Sequence, residues 1–387
     1  VNLVVFSHKV VWASANSPLG YATDGGFVYH MEALALLFEQ VRVVVPADKP
    51  SGAGETPFTR PNVEVVPLKP ITAKGIARKL LMPFWFLRQL PVFIKNMRWA
   101  NCVHAPIPGD VGTIGMLLAH VSGKPLYVRY CGNWYKPGTA AEKAWKWYMQ
   151  KYAGGKRVFL ATGGGAHPPS PTNPAMDWIF STSLWQNRIA ANAVRGKVGD
   201  QWPNLKLIIA CRQDEKKGTG RVLDAMGNLL PEFPHLTLQV LGDGPHLIQF
   251  QKQAVRLGIS HAVTFRGSVG QAQVVEAMKQ ADLFCYPTDA SEGFPKVVVE
   301  AMSCGLPVIT TPVSVLATII PQGNVGVLLQ QNTPHCLATA IRGYVLNKLL
   351  LEEHSVNCFQ FAQQFSLENW AEVTRKKLEA GWGVKLS

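Results

Sequence analysis

The chain has 387 residues, 47% of them hydrophobic and 16% charged. That length suits two α/β domains, each with its own core, and a charged fraction below the ordinary ~25% excludes a disordered or solvating chain. Thirty-eight Lys and Arg against 25 Asp and Glu leave a net charge of +13, which admits nucleic acid, an anionic membrane or phosphorylated small molecules as partners.

The excess is uneven. Residues 1–180 hold 19 basic and 9 acidic residues, whereas residues 181–387 hold 19 and 16. The seven cysteines are scattered singly without a Cys-x-x-Cys pair, the usage expected of reduced thiols in a cytoplasmic protein rather than of a disulfide framework or zinc site. No signal peptide is visible, and no run reaches the ~18 apolar residues of a membrane-spanning helix.

In chain order, Leu3–Phe6 and Val41–Val45 read as buried parallel strands, joined by a crossover helix predicted over Phe27–Glu39. Val63–Val66 is a further strand. From Val65 to Gly109 there is no acidic residue, and Lys69, Lys74, Arg78, Lys79, Arg88, Lys95 and Arg98 are mixed with Leu80, Leu81, Phe84, Trp85, Phe86, Leu87 and Ile94. Bases among large apolar side chains suit an amphipathic segment on an anionic membrane, so residues 69–98 are predicted to lie on one. Cys102–His104, Leu126–Arg129 and Val158–Ala161 continue the strand series. A second basic and aromatic stretch, Trp134–Arg157, reads instead as core aromatics with a solvated basic face. Thr162–Pro174 is glycine-rich, but its prolines and the lack of a following Lys-Ser or Lys-Thr suit a loop more than a phosphate cradle.

Arg188–Trp202 lacks a clean period, carries Gly196 and Gly199 and precedes Pro203, so the interdomain linker is placed there. Beyond it, strands Leu205–Ala210, Leu236–Leu241, Val263–Phe265, Leu283–Tyr286 and Val308–Thr310 are separated by helical patterns such as Arg221–Leu230 and Ile248–Leu257. Repeated strand–helix–strand units imply a doubly wound sheet in each half. The expected division is residues 1–190 and residues 200–365, with a final helix at Ser366–Ala380, and residues 366–387 packing back on the first domain.

Two stretches carry chemistry. Asp289–Pro307 places Glu292, Gly293 and Phe294 in a loop between a strand and a helix, with Pro295 at the first helical position and Gly305 at the end. Open α/β sheets bind ligands there, because free backbone N–H groups face the crevice. Glu292 and Glu300, eight residues apart, can accept hydrogen bonds from sugar hydroxyls. Arg212 and Lys217 follow the strand Leu205–Ala210 and can clamp a diphosphate.

The pattern Glu292-Gly-Phe-Pro-x4-Glu300-Ala-Met-x-Cys-Gly-Leu-Pro resembles the E-x7-E motif of retaining glycosyltransferases of family four, group one, which have the GT-B fold. Arg212 and Lys217-Gly match that family's Arg…Lys-Gly pair. Leu241–Pro245 and Val263–Gly267 match two further elements in order, and Asp24-Gly25-Gly26 resembles its glycine-rich first loop. The resemblance is specific over about Leu205–Val313. It implies two Rossmann-like domains facing across a cleft and a nucleoside diphosphate sugar as donor. Glu300 would then hold the ribose, and Glu292, with the N–H groups around Gly293 and Phe294, the sugar. Arg212 and Lys217 would neutralise the diphosphate, assisted by Gly25, Gly26 and Lys296, and Arg266 and Gly267 would lie by the base.

Where many relatives carry Gly this chain has Pro295, which removes a backbone donor. Where many carry His-x-His it reads Val103-His104-Ala105-Pro106, so no catalytic histidine is assigned and His104 is read as structural at a strand end. Asp24, His104, Arg129 and Asn133 are the candidate acceptor contacts. No Asp-x-Asp pair occurs, so no catalytic metal and no cofactor is expected. The functional expectation is a retaining glycosyltransferase acting on a lipid-linked or saccharide acceptor in polysaccharide or glycolipid assembly. It would be cytoplasmic, peripheral on the inner face of the membrane, and without a nucleic-acid partner. The alternatives are a nucleotide-sugar 2-epimerase of the same fold and a non-catalytic polyanion-binding protein.

Overall fold

The computed structural model describes residues 1–50, 56–71, 73, 75–165, 167–192, 202–290 and 293–386. The chain divides into two compact units. Unit one is Val1–Thr162, His167–Ser183 and Leu367–Ser387, and unit two is Gly163–Ala166 and Leu184–Ser366.

Unit one holds a seven-stranded, all-parallel sheet. Its strands are β1 (Asn2–Phe6), β2 (Gln40–Pro46), β3 (Val63–Leu68), β4 (Cys102–Ile107), β5 (Leu126–Tyr130), β6 (Arg157–Thr162) and β7 (Asp177–Ile179). They lie in the order β7-β6-β5-β4-β1-β2-β3, so the winding reverses between β1 and β4. Every residue of β4 and β5 is buried, so these strands show no polar alternation, and their polar side chains, His104 and Arg129 among them, lie inside. Helices α1 (Phe27–Leu34), α2 (Gly75–Trp99), α3 (Asp110–Val121) and α4 (Ala140–Tyr152) cover the faces. Among these, α3 comes closest to the sheet. A Cβ on Gly115 would stand 2.5 Å from Phe6 Cβ, and one on Gly112 would stand 2.4 Å from the Pro106 carbonyl oxygen. Phe6 in turn stacks on Phe93 of α2, ring centroids 4.9 Å apart.

Unit two repeats the design with β8 (Lys206–Ala210), β9 (Thr237–Leu241), β10 (Val263–Gly267), β11 (Leu283–Tyr286), β12 (Val308–Thr310) and β13 (Gly326–Leu328). The order is β10-β9-β8-β11-β12-β13, and the reversal falls between β8 and β11. Its helices are α5 (Gln186–Asn192), α6 (Thr219–Leu229), α7 (Leu247–Arg256), α8 (Gln271–Lys279), α9 (Lys296–Ser303), α10 (Leu316–Gly323), α11 (Pro334–Leu346) and α12 (Lys348–Ala362). Leu207 and Ile209 of β8 meet Val222 and Met226 of α6 in its core.

The last helix, α13 (Leu367–Trp382), belongs to unit one. Trp370, Thr374, Leu378 and Trp382 recur every four residues along its buried stripe. Trp370 meets His30 of α1 edge-on at 4.8 Å, and Lys377 pairs with Asp177 of β7.

Several sequence expectations need adjustment. The helix expected over Phe27–Glu39 stops at Leu34, because Asn62 Nδ2 donates to the carbonyls of Ala35 and Phe38 and holds the chain in turns. Pro295 is the residue before α9, with ψ 94°, rather than its first helical position. The expected linker begins as helix α5, tied to α9 by a buried hydrogen bond from Asn192 to Ser303 Oγ at 3.0 Å, while Gly196 and Gly199 lie outside the described residues. A three-stranded antiparallel sheet of Trp12–Ala13, Tyr21–Thr23 and Thr56–Pro57 was not anticipated. In the second basic stretch Trp134 is buried and donates to the Pro169 carbonyl, with Lys146 over its ring.

Because Phe6 Cβ is next to the backbone and cannot swing away, Gly115→Ala is expected to destabilise unit one by ~1–3 kcal/mol. Differential scanning calorimetry would show this as a lowered transition, and an unchanged transition would mean that α3 can move off the sheet freely.

Candidate active site

The winding reversal between β8 and β11 is where a parallel sheet opens a crevice at its carboxyl edge. A cavity of about 430 Å³ opens there, lined by Cys211, Arg212, Gly242, Asp243, Gln271 and Glu300 with apolar residues that include Val269, Val274 and Val297. Its cationic wall is the loop after β8. Arg212 is exposed, whereas Gln213 behind it is fully buried. Gln213 Nε2 donates to the carbonyls of Cys211 and Leu241, and its Oε1 accepts from Thr219, so the loop is fixed from beneath. Gly242 has φ +106°, and a Cβ there would meet the Cys211 carbonyl oxygen at 1.9 Å. Only glycine lets the two strand ends approach so closely.

Lys217 closes a single 3-10 turn, Glu215–Lys217, capped by the Asp214 side chain. Its Nζ is 3.3 Å from Tyr286 Oη at the end of β11, and partial burial lowers its pKa. Next to it Gly218 has φ +92°, and a Cβ there would stand 2.2 Å from the Pro287 carbonyl oxygen. Arg221 bonds that carbonyl and pairs with Asp289, and Asp289 N–H donates to the Lys216 carbonyl. The loops after β8 and β11 are therefore braced against each other, which sets Arg212 and Lys217 at one sheet edge.

The opposite wall is α9. Glu300 is only 8% exposed and accepts a 2.7 Å hydrogen bond from Gln271 Nε2, at the start of α8. Burial raises the Glu300 pKa, while the Gln271 hydrogen bond and the charge of Lys296 pull it back down. Phe294 is buried against Phe365, rings 5.5 Å apart, leading Pro295 and Lys296 into the helix. Glu292 lies outside the described residues. Arg266 and Gly267 precede Ser268 and Val269, and it is the latter pair that lines the cavity.

The other candidates are in unit one. Asp24 pairs with Lys9, and Gly25, at φ +70°, leads into α1 through Gly26, whose carbonyl lies 3.0 Å from His30 Nδ1. Asn133 Oδ1 accepts from the N–H groups of Tyr135 and Lys136, a turn-forming role. His104 is wholly buried, stacked on Tyr127 at 4.2 Å, with burial and the Arg129 charge pushing its pKa down to about 3. It is therefore neutral at ordinary pH. Sequence reasoning missed Gln271 and the valines, and the only signal for Gln271 is its place after a short Gly267–Gly270 turn.

Residues 197–364 match the sequence model of a family described as Glycosyl transferases, group 1. Over 144 residues the chain is 32% identical to the phosphatidyl-myo-inositol mannosyltransferase of Mycobacterium leprae (strain TN), covering 37% of this chain and 38% of that one. Over 198 residues it is 30% identical to the D-inositol 3-phosphate glycosyltransferase of Streptomyces coelicolor (strain ATCC BAA-471 / A3(2) / M145), covering 49% and 43%. The chain thus spans about two fifths of the length of these relatives. Among solved structures, Anabaena HepE in complex with UDP and glucose superposes with a TM-score of 0.67 at 18% identity, over 97% of this chain and all of that one. WaaG, a glycosyltransferase involved in lipopolysaccharide biosynthesis, gives 0.64 at 16%, over 99% and 100%. The chain has the GT-B fold.

Gln271 is the group that most directly favours an ionised Glu300. With its folded pKa above the usual 4.5, Glu300 destabilises the fold as pH rises through that pKa, so Glu300→Gln should raise the melting temperature at pH 7. Gln271→Ala should raise the Glu300 pKa further, so any ligand that needs the carboxylate should lose affinity at a higher pH than in the wild type. Isothermal titration with nucleotides between pH 5 and 8 would test this, and identical acid limbs in both proteins would exclude it.

Proposed function

We propose that the chain is a retaining, metal-independent glycosyltransferase, moving a sugar from a nucleoside diphosphate to a lipid-linked or saccharide acceptor in cell-surface polysaccharide or glycolipid assembly. The observation that carries this reading is one cavity at the reversal of a group 1 glycosyl transferase unit, with exposed Arg212 on one wall and buried Glu300 on the other. The crystallised HepE complexes support the choice of a nucleoside diphosphate, since UDP and UDP-glucose are what they hold.

The chemistry follows from charge. When the bond between the anomeric carbon and the diphosphate breaks, the electron pair leaves on a phosphate oxygen and positive charge grows on the sugar. Arg212 and Lys217, with the amino end of α9, stabilise that leaving group, and such preorganised stabilisation is usually the largest catalytic term. Glu300 accepts hydrogen bonds from the ribose hydroxyls, and Glu292 holds the sugar. The acceptor attacks on the face the leaving group departs from, which retains configuration.

α2 supports a membrane-side acceptor. Leu80, Phe84 and Leu87 are 69%, 72% and 62% exposed, and with Pro91 and Ile94 they form one stripe at a spacing of three and four residues. Beside the stripe, Leu87, Leu90, Pro91, Ile94, Lys95 and Arg98 line an open groove of about 570 Å³. The opposite face is anchored by Phe93 and Met97 in the core. An apolar stripe flanked by bases fits the inner face of a cell membrane, where a lipid-linked acceptor would be met. Among the described residues no helix is long and apolar enough to cross a membrane.

Thermal-shift measurements with UDP, GDP and ADP are expected to show stabilisation by one of them, abolished in Glu300→Ala. Arg212→Ala should lower kcat by ~10²–10³. Silence toward all three nucleotides would defeat the reading, and turnover of the donor without any acceptor would favour the epimerase. For the membrane, cosedimentation with phosphatidylglycerol vesicles at low salt should fall by ~10-fold or more in the double variant Phe84→Ser, Leu87→Ser. A wild-type protein that stays in the supernatant would end that part of the proposal.

A further inference from the structure

Arg129 is the fourth residue of β5, close to the carboxyl edge and one strand from the reversal between β1 and β4. It is only 6% exposed, and its Nε and Nη1 are buried without a hydrogen-bond partner among the described residues. Among those residues it forms no ion pair. Its guanidinium stands 5.3 Å from the ring of Trp370 on α13. Neither of its titratable neighbours Tyr127 and His104 supplies negative charge. Tyr127, two residues back, has its phenol pKa raised by burial and stays protonated. His104, stacked on Tyr127, is kept neutral.

Arginine does not escape this situation by losing its proton. A buried charge normally has a counter-charge or is bound by one, because the desolvation of an unpaired ion is not otherwise offset. Two more buried polar atoms of unit one have no hydrogen-bond partner among the described residues. One is Trp370 Nε1, and the other is Thr162 Oγ1 on β6, two residues beyond Leu160, the register partner of Arg129. All three side chains can donate, and they come from β5, β6 and α13. Donors arriving from three elements suit a tetrahedral oxyanion better than a flat carboxylate, and the guanidinium fork matches phosphate oxygens.

We propose that Arg129 anchors a phosphoryl group of a small-molecule ligand of unit one, with Thr162 and Trp370 as further donors. The proposed donors include none of the residues that line the cavity of unit two. The inference rests on the glycosyltransferase reading only where it identifies the ligand, which would then be a phosphorylated acceptor.

The test is the thermal stability of the full chain in inorganic phosphate, against sodium chloride and sodium acetate at matched ionic strength. Wild type, Arg129→Gln, Arg129→Lys and Arg212→Ala are compared. General stabilisation by excluded phosphate is common to all four and cancels. At ten times its Kd, phosphate should raise the melting temperature of wild type by roughly 3 °C over chloride, and Arg212→Ala should keep whatever part of that gain Arg129→Gln loses. Arg129→Gln should lose that gain, and Arg129→Lys should keep less than half of it. The UDP shift in Arg129→Gln should equal that of wild type, which separates this site from the donor cavity. A full phosphate gain in Arg129→Gln, no gain in wild type, or an equal gain from acetate would overturn the assignment. If Arg129→Gln fails to fold, an undiminished gain in Arg129→Lys overturns it instead.

Discussion

The candidate active site depends on how closely backbone approaches backbone at the carboxyl edge of the second sheet. Gly218 lies against the carbonyl of Pro287, Gly242 against that of Cys211, and Gly244 against that of Gln213, each so near that a Cβ would stand 2.4 Å or less from the oxygen. These contacts, with the buried amide of Gln213, leave the loop after β8 little freedom. Arg212 therefore acquires its place from main-chain geometry, and Lys217 from the same loop with its Nζ 3.3 Å from Tyr286 Oη. A cation held in that way loses little entropy when an anion arrives, which is the meaning of preorganisation in a phosphate site.

Two buried charges give the molecule its chemical character, and they are handled differently. Glu300 is buried but answered by Gln271 and by the nearby charge of Lys296, so its carboxylate form is disfavoured only in part. Arg129 is buried with an aromatic ring at its side and no carboxylate among the described residues. A fold selected for stability alone would replace such groups with apolar ones of the same volume. Their retention marks both places as positions where the fold gives up some stability.

Much of this architecture could be read from the residues. Short β-branched runs gave nearly every strand of the two large sheets, because strands buried on both faces have no polar alternation to obscure them. The spacing of Arg212, Lys217 and Glu300 around strand ends located the crevice. What escaped was set by contacts distant in sequence. Asn62 ends the first helix 28 residues after Leu34, and Gly326–Leu328 is a strand only because β12 is beside it. Gln271 has meaning only once α8 and α9 are side by side. Arg129 was visible as a residue at a strand end, but its setting depends on Trp370 of α13, which is 238 to 253 residues further on.

That late helix also orders events in time. Unit one contains most of the first half of the chain, yet its buried stripe from Trp370 to Trp382 is supplied by residues synthesised after those of unit two. During synthesis the second unit has all of its strands and helices before the first has its final one. The surface of α1 and β6 that awaits α13 must meanwhile remain in water or under a chaperone. Of the two units, the one begun first is the one completed second.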